Sequence, residues 1–181
     1  FGFYFNQPNL KELTMDTIEL NGKLTAEDYL KNIDGKLIMS KNGDDIEVFH
    51  TVQGEGPRTG VSVIFVRVSG CNLSCSWCDT QYTWNWNVFD QQREQMFVDV
   101  KQVAEKIRSF GVRAIVISGG EPTLQWKSLA KLIDVLREDE AEKGKWFVEL
   151  ETNGSIVPND ALFDRVDEFN CSPKLQHSGN M

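Results

Sequence analysis

Three of the four cysteines fall within eight positions, Cys71, Cys75 and Cys78 in the segment CNLSCSWCDT. At this C-x3-C-x2-C spacing, short loops turn each sulfur inward while the backbone between them donates hydrogen bonds. Three thiolates so placed could wrap one face of a soft metal centre. Structural zinc takes four ligands, and no fourth cysteine or histidine is adjacent, although folding could bring in His50 or Cys171. An iron–sulfur cluster with one open place is therefore favoured over zinc. Free buried cysteines fit least well, since three in one polar loop have no core to fill. Disulfides are also a poor account, because clustered ligand spacings belong to metal sites of reducing compartments. The remote Cys171 is expected to be a small buried residue.

Other reactive or ligand-binding side chains recur after apolar runs. Val61–Val68 is the first long β-branched run, carries Arg67 within it, and leads into the cysteine loop. Ser118-Gly119-Gly120-Glu121-Pro122 follows the run Ala114–Ile117, Glu151-Thr152-Asn153-Gly154 follows Trp146–Leu150, and Ser172-Pro173-Lys174 follows Glu168–Cys171. Between these strands the apolar spacing predicts helices over Phe97–Phe110, closed by Gly111, and over Trp126–Lys143, closed by Gly144, with a weaker one near Asn159–Arg165. Strands alternating with helices imply an α/β fold with a parallel sheet and crossover helices. In such sheets ligands bind beyond the carboxyl ends of the strands, where these motifs fall.

The remaining features bound the answer. A chain of 181 residues with 40% hydrophobic content can bury one substantial core. The net charge of −8, with scattered acids, argues against binding a nucleic-acid backbone directly. No apolar stretch long enough to span a bilayer and no signal-peptide pattern is present, so no membrane partner and a cytoplasmic location are expected. Residues 1–45 read as a polar N-terminal extension, with a short helix over Thr25–Asn32 capped by Thr25 and Asp28. Lys41–Asp44 reads as a hairpin turn in which Asn42 and Gly43 take positive φ, followed by a strand over Ile46–His50. Residues 46–181 then form the domain that carries the chemistry. Because the chain starts at Phe1 and stops after a loop-like run, it is expected to be a fragment.

The cysteine motif after the first strand, with Gly119-Gly120-Glu121 at the end of the second, resembles the radical S-adenosylmethionine (SAM) superfamily. Gln53-Gly54-Glu55-Gly56, Arg67, Cys78-Asp79-Thr80, Ser118–Pro122, Glu151–Gly154 and Ser172–Lys174 together narrow the resemblance to the 7-carboxy-7-deazaguanine synthase family, over about residues 46–178. It implies a partial, TIM-like barrel in which Cys71, Cys75 and Cys78 hold a 4Fe-4S cluster whose open iron takes SAM. It implies Mg2+ on the Thr80 hydroxyl, a hard oxygen donor. It implies SAM contacts from Trp77, Asp79, Gly119, Gly120, Glu121, Glu151, Thr152, Asn153, Ser172 and Lys174, and substrate contacts from Val52, Gln53, Gly54, Glu55, Arg67 and Ser118. The implied reaction converts 6-carboxy-5,6,7,8-tetrahydropterin to 7-carboxy-7-deazaguanine with loss of ammonia. The implied partners are a flavodoxin or ferredoxin as electron donor and a second copy in a homodimer.

Read on their own, several of these residues have plainer roles. Arg67 could pair with a structural acid, Thr80 could be a turn hydroxyl, and each strand-end motif could be a solvated loop. Trp84 and Trp86 could pack over the cluster or fill the core, and the core is favoured. A glycyl-radical activase would share the cysteines and Gly-Gly-Glu but lack the Gln53–Gly56 and Cys78–Thr80 segments; a zinc-stabilised binding module is the alternative from another class.

Overall fold

The computed structural model describes residues 35–180 and the backbone of the two short segments 19–20 and 24–25. Those two segments, β1 (Glu19–Leu20) and β2 (Leu24–Thr25), pair antiparallel. The helix expected over Thr25–Asn32 lies, after Thr25, outside the described residues.

The main sheet has eight strands. The parallel half is β6 (Ser62–Val68), β8 (Ala114–Gly119), β9 (Phe147–Thr152) and β10 (Glu168–Cys171). The antiparallel half is β3 (Lys36–Asn42), β4 (Asp45–Ile46), β5 (Val48–Val52) and β7 (Gln95–Asp99). The order β10-β9-β8-β6-β3-β4 leaves the sheet open at both ends, with β5 on β6 and β7 on β3. This is an α/β fold of the partial TIM-like barrel type.

Strand Lys36–Asn42 revises the expected boundary of the extension at residue 45. Its Leu37, Ile38 and Met39 are fully buried, so this segment belongs to the core sheet. The hairpin that follows is also one residue off: Asn42 pairs with Asp45, and only Gly43 takes a positive φ, at 66°. The loop is therefore Gly43-Asp44, with glycine in the first central place that two-residue loops favour. The stretch predicted as a helix over Phe97–Phe110 begins as strand β7, whose residues pair one for one with Lys36–Ser40. Helix α2 (Val100–Ser109) starts only at Val100, capped by Asp99 accepting from Lys101 N. A four-residue helix α1 (Gln91–Glu94) precedes β7.

Alternation along the parallel strands separates two faces. Ile64, Val66, Val68, Ile115, Ile117, Val148 and Leu150 join the apolar core with Val103, Ala104 and Ile107 of α2 and with Leu129, Leu132, Ile133 and Leu136 of α3 (Trp126–Arg137). The predicted second helix thus ends earlier than Lys143; a separate turn, α4 (Glu140–Lys143), precedes Gly144, whose φ is 89°. A last short helix, α5 (Asp160–Phe163), is capped by Asn159. The opposite face of the sheet carries Phe65, Arg67, Ser118, Glu149, Glu151 and Asn170 by the same alternation. Polar side chains interrupting β-branched strands therefore mark the hollow side. Among the described residues no helix is long and apolar enough to cross a membrane.

Candidate active site

The hollow face of the sheet lines a cleft of about 630 Å³ that runs from the cysteine loop to the β5–β6 connection. Every residue expected to contact the cluster, Mg2+, SAM or substrate lines it except Glu121. The strand-end motifs sit at the carboxyl ends of β6, β8, β9 and β10, as expected. The Gln53–Gly56 segment sits elsewhere: β5 runs antiparallel to β6, with Val52 opposite Ser62, so this segment closes the cleft at the amino end of β6.

At the cysteine loop the backbone dictates the arrangement. Gly120 N donates to Val68 O at 3.2 Å and Glu121 N donates to Gly70 O at 2.8 Å. A methyl group on Gly119 would overlap the Val68 backbone, and one on Gly120 the Gly70 carbonyl. Sequence reasoning assigned these glycines to close approach of a ligand; the structure shows that the start of the cysteine loop approaches them. Gly119, with φ 146°, also has a conformation that side chains avoid. Gln125, buried, ties the same loop to β3, donating to Ser69 O and Ile38 O and accepting from Ile38 N.

Each thiol in the loop receives one N–H donor. Leu73 N lies 3.4 Å from Cys71 Sγ, Asn180 Nδ2 lies 3.0 Å from Cys75 Sγ, and Trp84 Nε1 lies 3.3 Å from Cys78 Sγ. Trp84 is buried, as expected for a core residue, and its indole N–H also meets a sulfur at the cleft, as in the alternative placement over the cluster loop. Burial pushes the Cys71 thiol up to about 12, with repulsion from Glu121 and the neighbouring cysteines adding to it. Its thiolate therefore needs a cationic centre as partner. No cysteine is in a disulfide. The donor set fits an iron–sulfur cluster: three thiols on one wall, each with a hydrogen bond of the kind that tunes such clusters. Among the described residues no three His, Cys, Asp or Glu side chains are grouped around a single ion, whereas in a four-iron cluster each thiolate binds a different iron. Cys171 departs from expectation. It is exposed at the end of β10 and lines the cleft, with its sulfur where a side chain on Gly154 would be.

Glu121 is fully buried and works from behind. Its carboxylate accepts from Thr123 N and Oγ1, from Thr152 Oγ1 at 2.8 Å and from Asn153 N at 2.8 Å. It thus fixes the end of β9, where Thr152 and Asn153 meet the cleft. Asn153 Nδ2 in turn donates to Asn72 Oδ1, joining that strand end to the cysteine loop. Across the opening, Lys174 Nζ donates to Ser172 Oγ at 2.8 Å and stands 5.3 Å from the Trp77 ring centroid.

The lining along β6 carries charge. Arg67 Nε donates to Glu47 Oε1 at 2.7 Å, and the Tyr82 hydroxyl donates to both Glu47 oxygens. Burial is the main reason the Tyr82 hydroxyl rises to about 12, so it stays a donor at neutral pH. The plain reading of Arg67 as paired with a structural acid is therefore correct. That pair uses only Nε; among the described residues no hydrogen bond is made by the terminal nitrogens, and the guanidinium carbon stands 4.8 Å from the centroid of the Phe65 ring, which also lines the cleft. Glu47 and Tyr82 were invisible in sequence because neither belongs to a motif. Lower on the same face, buried Gln53 donates through its amide to Glu149 Oε1, which also accepts from Asn170 Nδ2. Thr80 Oγ1 lies 3.5 Å from Cys78 Sγ and caps no helix.

Comparison with known proteins agrees with this geometry. The Radical SAM superfamily profile matches residues 65–174, and the chain belongs to that superfamily. Proteins of this superfamily use SAM and a 4Fe-4S cluster, and membership sets aside the zinc module. Within it the chain is similar to 7-carboxy-7-deazaguanine synthases: 39% identical over 133 residues to that of Haemophilus influenzae, covering 74% of this chain and 54% of the relative. It is 40% identical over 121 residues to that of Hyperthermus butylicus, covering 67% and 46%. The crystal structure of QueE from Escherichia coli superposes with a TM-score of 0.53 at 29% identity, covering 77% of this chain and 61% of that one. The chain spans about half the length of the curated relatives it matches.

Proposed function

We propose that the protein carrying these residues is a 7-carboxy-7-deazaguanine synthase, which converts 6-carboxy-5,6,7,8-tetrahydropterin to 7-carboxy-7-deazaguanine with loss of ammonia. The carrying observation is that the cysteine loop and Arg67 line a single cleft together with the Gln53–Gly56, Ser118–Gly120 and Glu151–Asn153 segments. An activase would not need the Gln53–Gly56 segment or a guanidinium aimed inward, and the named relatives at 39% and 40% identity favour the synthase.

On this reading Cys71, Cys75 and Cys78 hold the 4Fe-4S cluster. When bound and reduced, the cluster and SAM supply a 5′-deoxyadenosyl radical that removes a substrate hydrogen. The chain's own part is to bind and orient. Arg67, steadied through Nε by Glu47, offers its terminal nitrogens to the substrate carboxylate as a two-donor fork. Val52, Gly54 and Glu55 border the pterin, with Gln53 held in place by Glu149; Ser118 adds a hydroxyl from β8. Trp77, Asp79, Gly119, Gly120, Glu151, Thr152, Asn153, Ser172 and Lys174 surround SAM, with Glu121 bracing the last turn of β9 from behind. Thr80 presents a hard oxygen for Mg2+ beside the cluster loop. A flavodoxin or ferredoxin as reductant, a homodimer and a cytoplasmic location complete the proposal on the strength of the resemblance.

The test is anaerobic: iron and sulfide reconstitution, reduction, addition of SAM and carboxytetrahydropterin, and product detection by mass. The expected result is the deazaguanine mass with Mg2+ stimulation that Thr80→Ala blunts and Thr80→Ser keeps. SAM cleavage with the pterin unchanged, in the full-length protein, would reassign the substrate.

A further inference from the structure

The outer side of the cysteine loop is held by a segment to which the proposed function gives no role, Gln176–Asn180. Ser76 N donates to Ser178 O at 2.9 Å, and Ser74 N donates to Asn180 Oδ1 at 2.6 Å. The Asn180 amide nitrogen donates to Cys75 Sγ at 3.0 Å and to Ser178 Oγ at 2.9 Å. These partners fix which way the amide points. A backbone N–H can only donate, so Ser74 demands the carbonyl oxygen, and the NH2 group is left for the sulfur. Ser178 and Cys75 are buried, 1% and 8% exposed, while Asn180 is half-buried and Ser74 exposed.

Of the three donors to the thiols, two come from the loop's own neighbourhood, Leu73 and Trp84. Asn180 reaches Cys75 from 105 residues away. One side chain therefore both anchors the loop backbone at Ser74 and caps the sulfur next to it. A hydrogen bond to a ligating thiolate draws charge off the sulfur and makes an added electron on the cluster less costly. We propose that Asn180 is a positioning residue for the cluster loop that also raises the reduction potential of the cluster bound through Cys75. This rests on Cys75 being a cluster ligand. The reaction affected is a one-electron reduction by an external donor, in which no protein bond forms or breaks.

Two readouts test the proposal. In the metal-free protein, alkylation of Cys75, mapped by mass spectrometry, should quicken several-fold in Asn180→Ala while Cys171 reacts at its original rate. In the reconstituted protein, a dithionite titration followed by electron paramagnetic resonance should show lower potentials in the order wild type, Asn180→Ala, Asn180→Asp. Asp keeps the acceptor for Ser74 but sets a negative oxygen against the sulfur. Unchanged alkylation and unchanged potential in both variants would overturn the proposal, even with a lowered melting temperature, since that would leave Asn180 a merely structural role. If a variant assembles no cluster, the alkylation rate alone decides. A Cys75→Ala protein with an unaltered cluster would instead refute the ligand assignment, while the metal-free alkylation result still judges the clamp.

Discussion

The two long walls of the cleft are built in different ways. On the cysteine side nearly everything is fixed by backbone and neutral amides: Gly119 and Gly120 against Val68 and Gly70, Gln125 on Ser69, Asn180 on Ser74. On the Arg67 side the fixing is done by carboxylic acids, Glu47 on Arg67 and Glu149 under Gln53. Under the proposed function the difference follows from the ligands. A soft cluster needs three sulfurs at set positions and shielding from water, and uncharged donors hold those sulfurs without adding a strong local field. A carboxylate needs a guanidinium held in one orientation, which an acid on its third nitrogen supplies without blocking the fork.

Breaking the cysteine wall should have the largest effect. Cys75→Ala should abolish the broad iron–sulfur absorption, whereas Cys171→Ala, exposed at the far strand end, should keep it; equal loss in both would erase the distinction between the two sulfurs. On the Arg67 side, Arg67→Lys should weaken substrate binding by about tenfold to a hundredfold, the worth of one charged hydrogen bond. Substrate-free SAM cleavage should be unchanged, because the substitution touches only the charged side. Unaltered substrate affinity would confine Arg67 to its pair with Glu47. Returning to the backbone wall, Gly120→Ala should cost about 1–3 kcal/mol in a denaturant melt, since the Gly70 carbonyl must move. An unshifted midpoint would mean the loop gives way freely.

The smallest expected effect is a pH dependence on the charged wall. Burial raises the Glu149 carboxyl above its ordinary 4.5; the Gln53 bond opposes this, and repulsion from Glu168 and Glu151 adds to it. The fold therefore favours the protonated form. That contribution is fully present below the ordinary value and is lost as pH rises through the raised one. Glu149→Gln, which keeps an oxygen for Gln53 and Asn170, should flatten the loss of stability on raising the pH from 4 to 7 in a series of melts. A wild-type curve already flat over that range would remove Glu149 as its source.

How far the sequence could reach depended on whether a signal was local. The parallel strands, the closing glycines Gly111 and Gly144 and the cysteine spacing are short-range patterns, and each led to an element found in the structure. Strand β7 was hidden because Phe97 and Val98 run straight into the helical spacing of Val100–Ile107; its strand state comes from pairing with Lys36–Ser40, some sixty residues earlier. Leu37–Met39 was lost in a polar stretch for the same reason. At the site, the motif residues expected to contact a ligand, other than Glu121, line one cleft, but Glu47, Glu149 and Asn180 left no signal in the sequence. Each acts on a motif residue rather than as one, and only the fold decides which side chain it meets. Glu121 shows the reverse error: its motif was visible, while its work on Thr152 and Asn153 was not.

The central claim is that one cleft holds a three-cysteine cluster with an open place for SAM. It is tested most directly by electron paramagnetic resonance of the reduced, reconstituted protein before and after SAM is added, with iron counted on the same sample. The account predicts about four irons per chain and a spectrum that changes on SAM addition in the wild type and in Cys171→Ala alike. A four-iron spectrum indifferent to saturating SAM would contradict it.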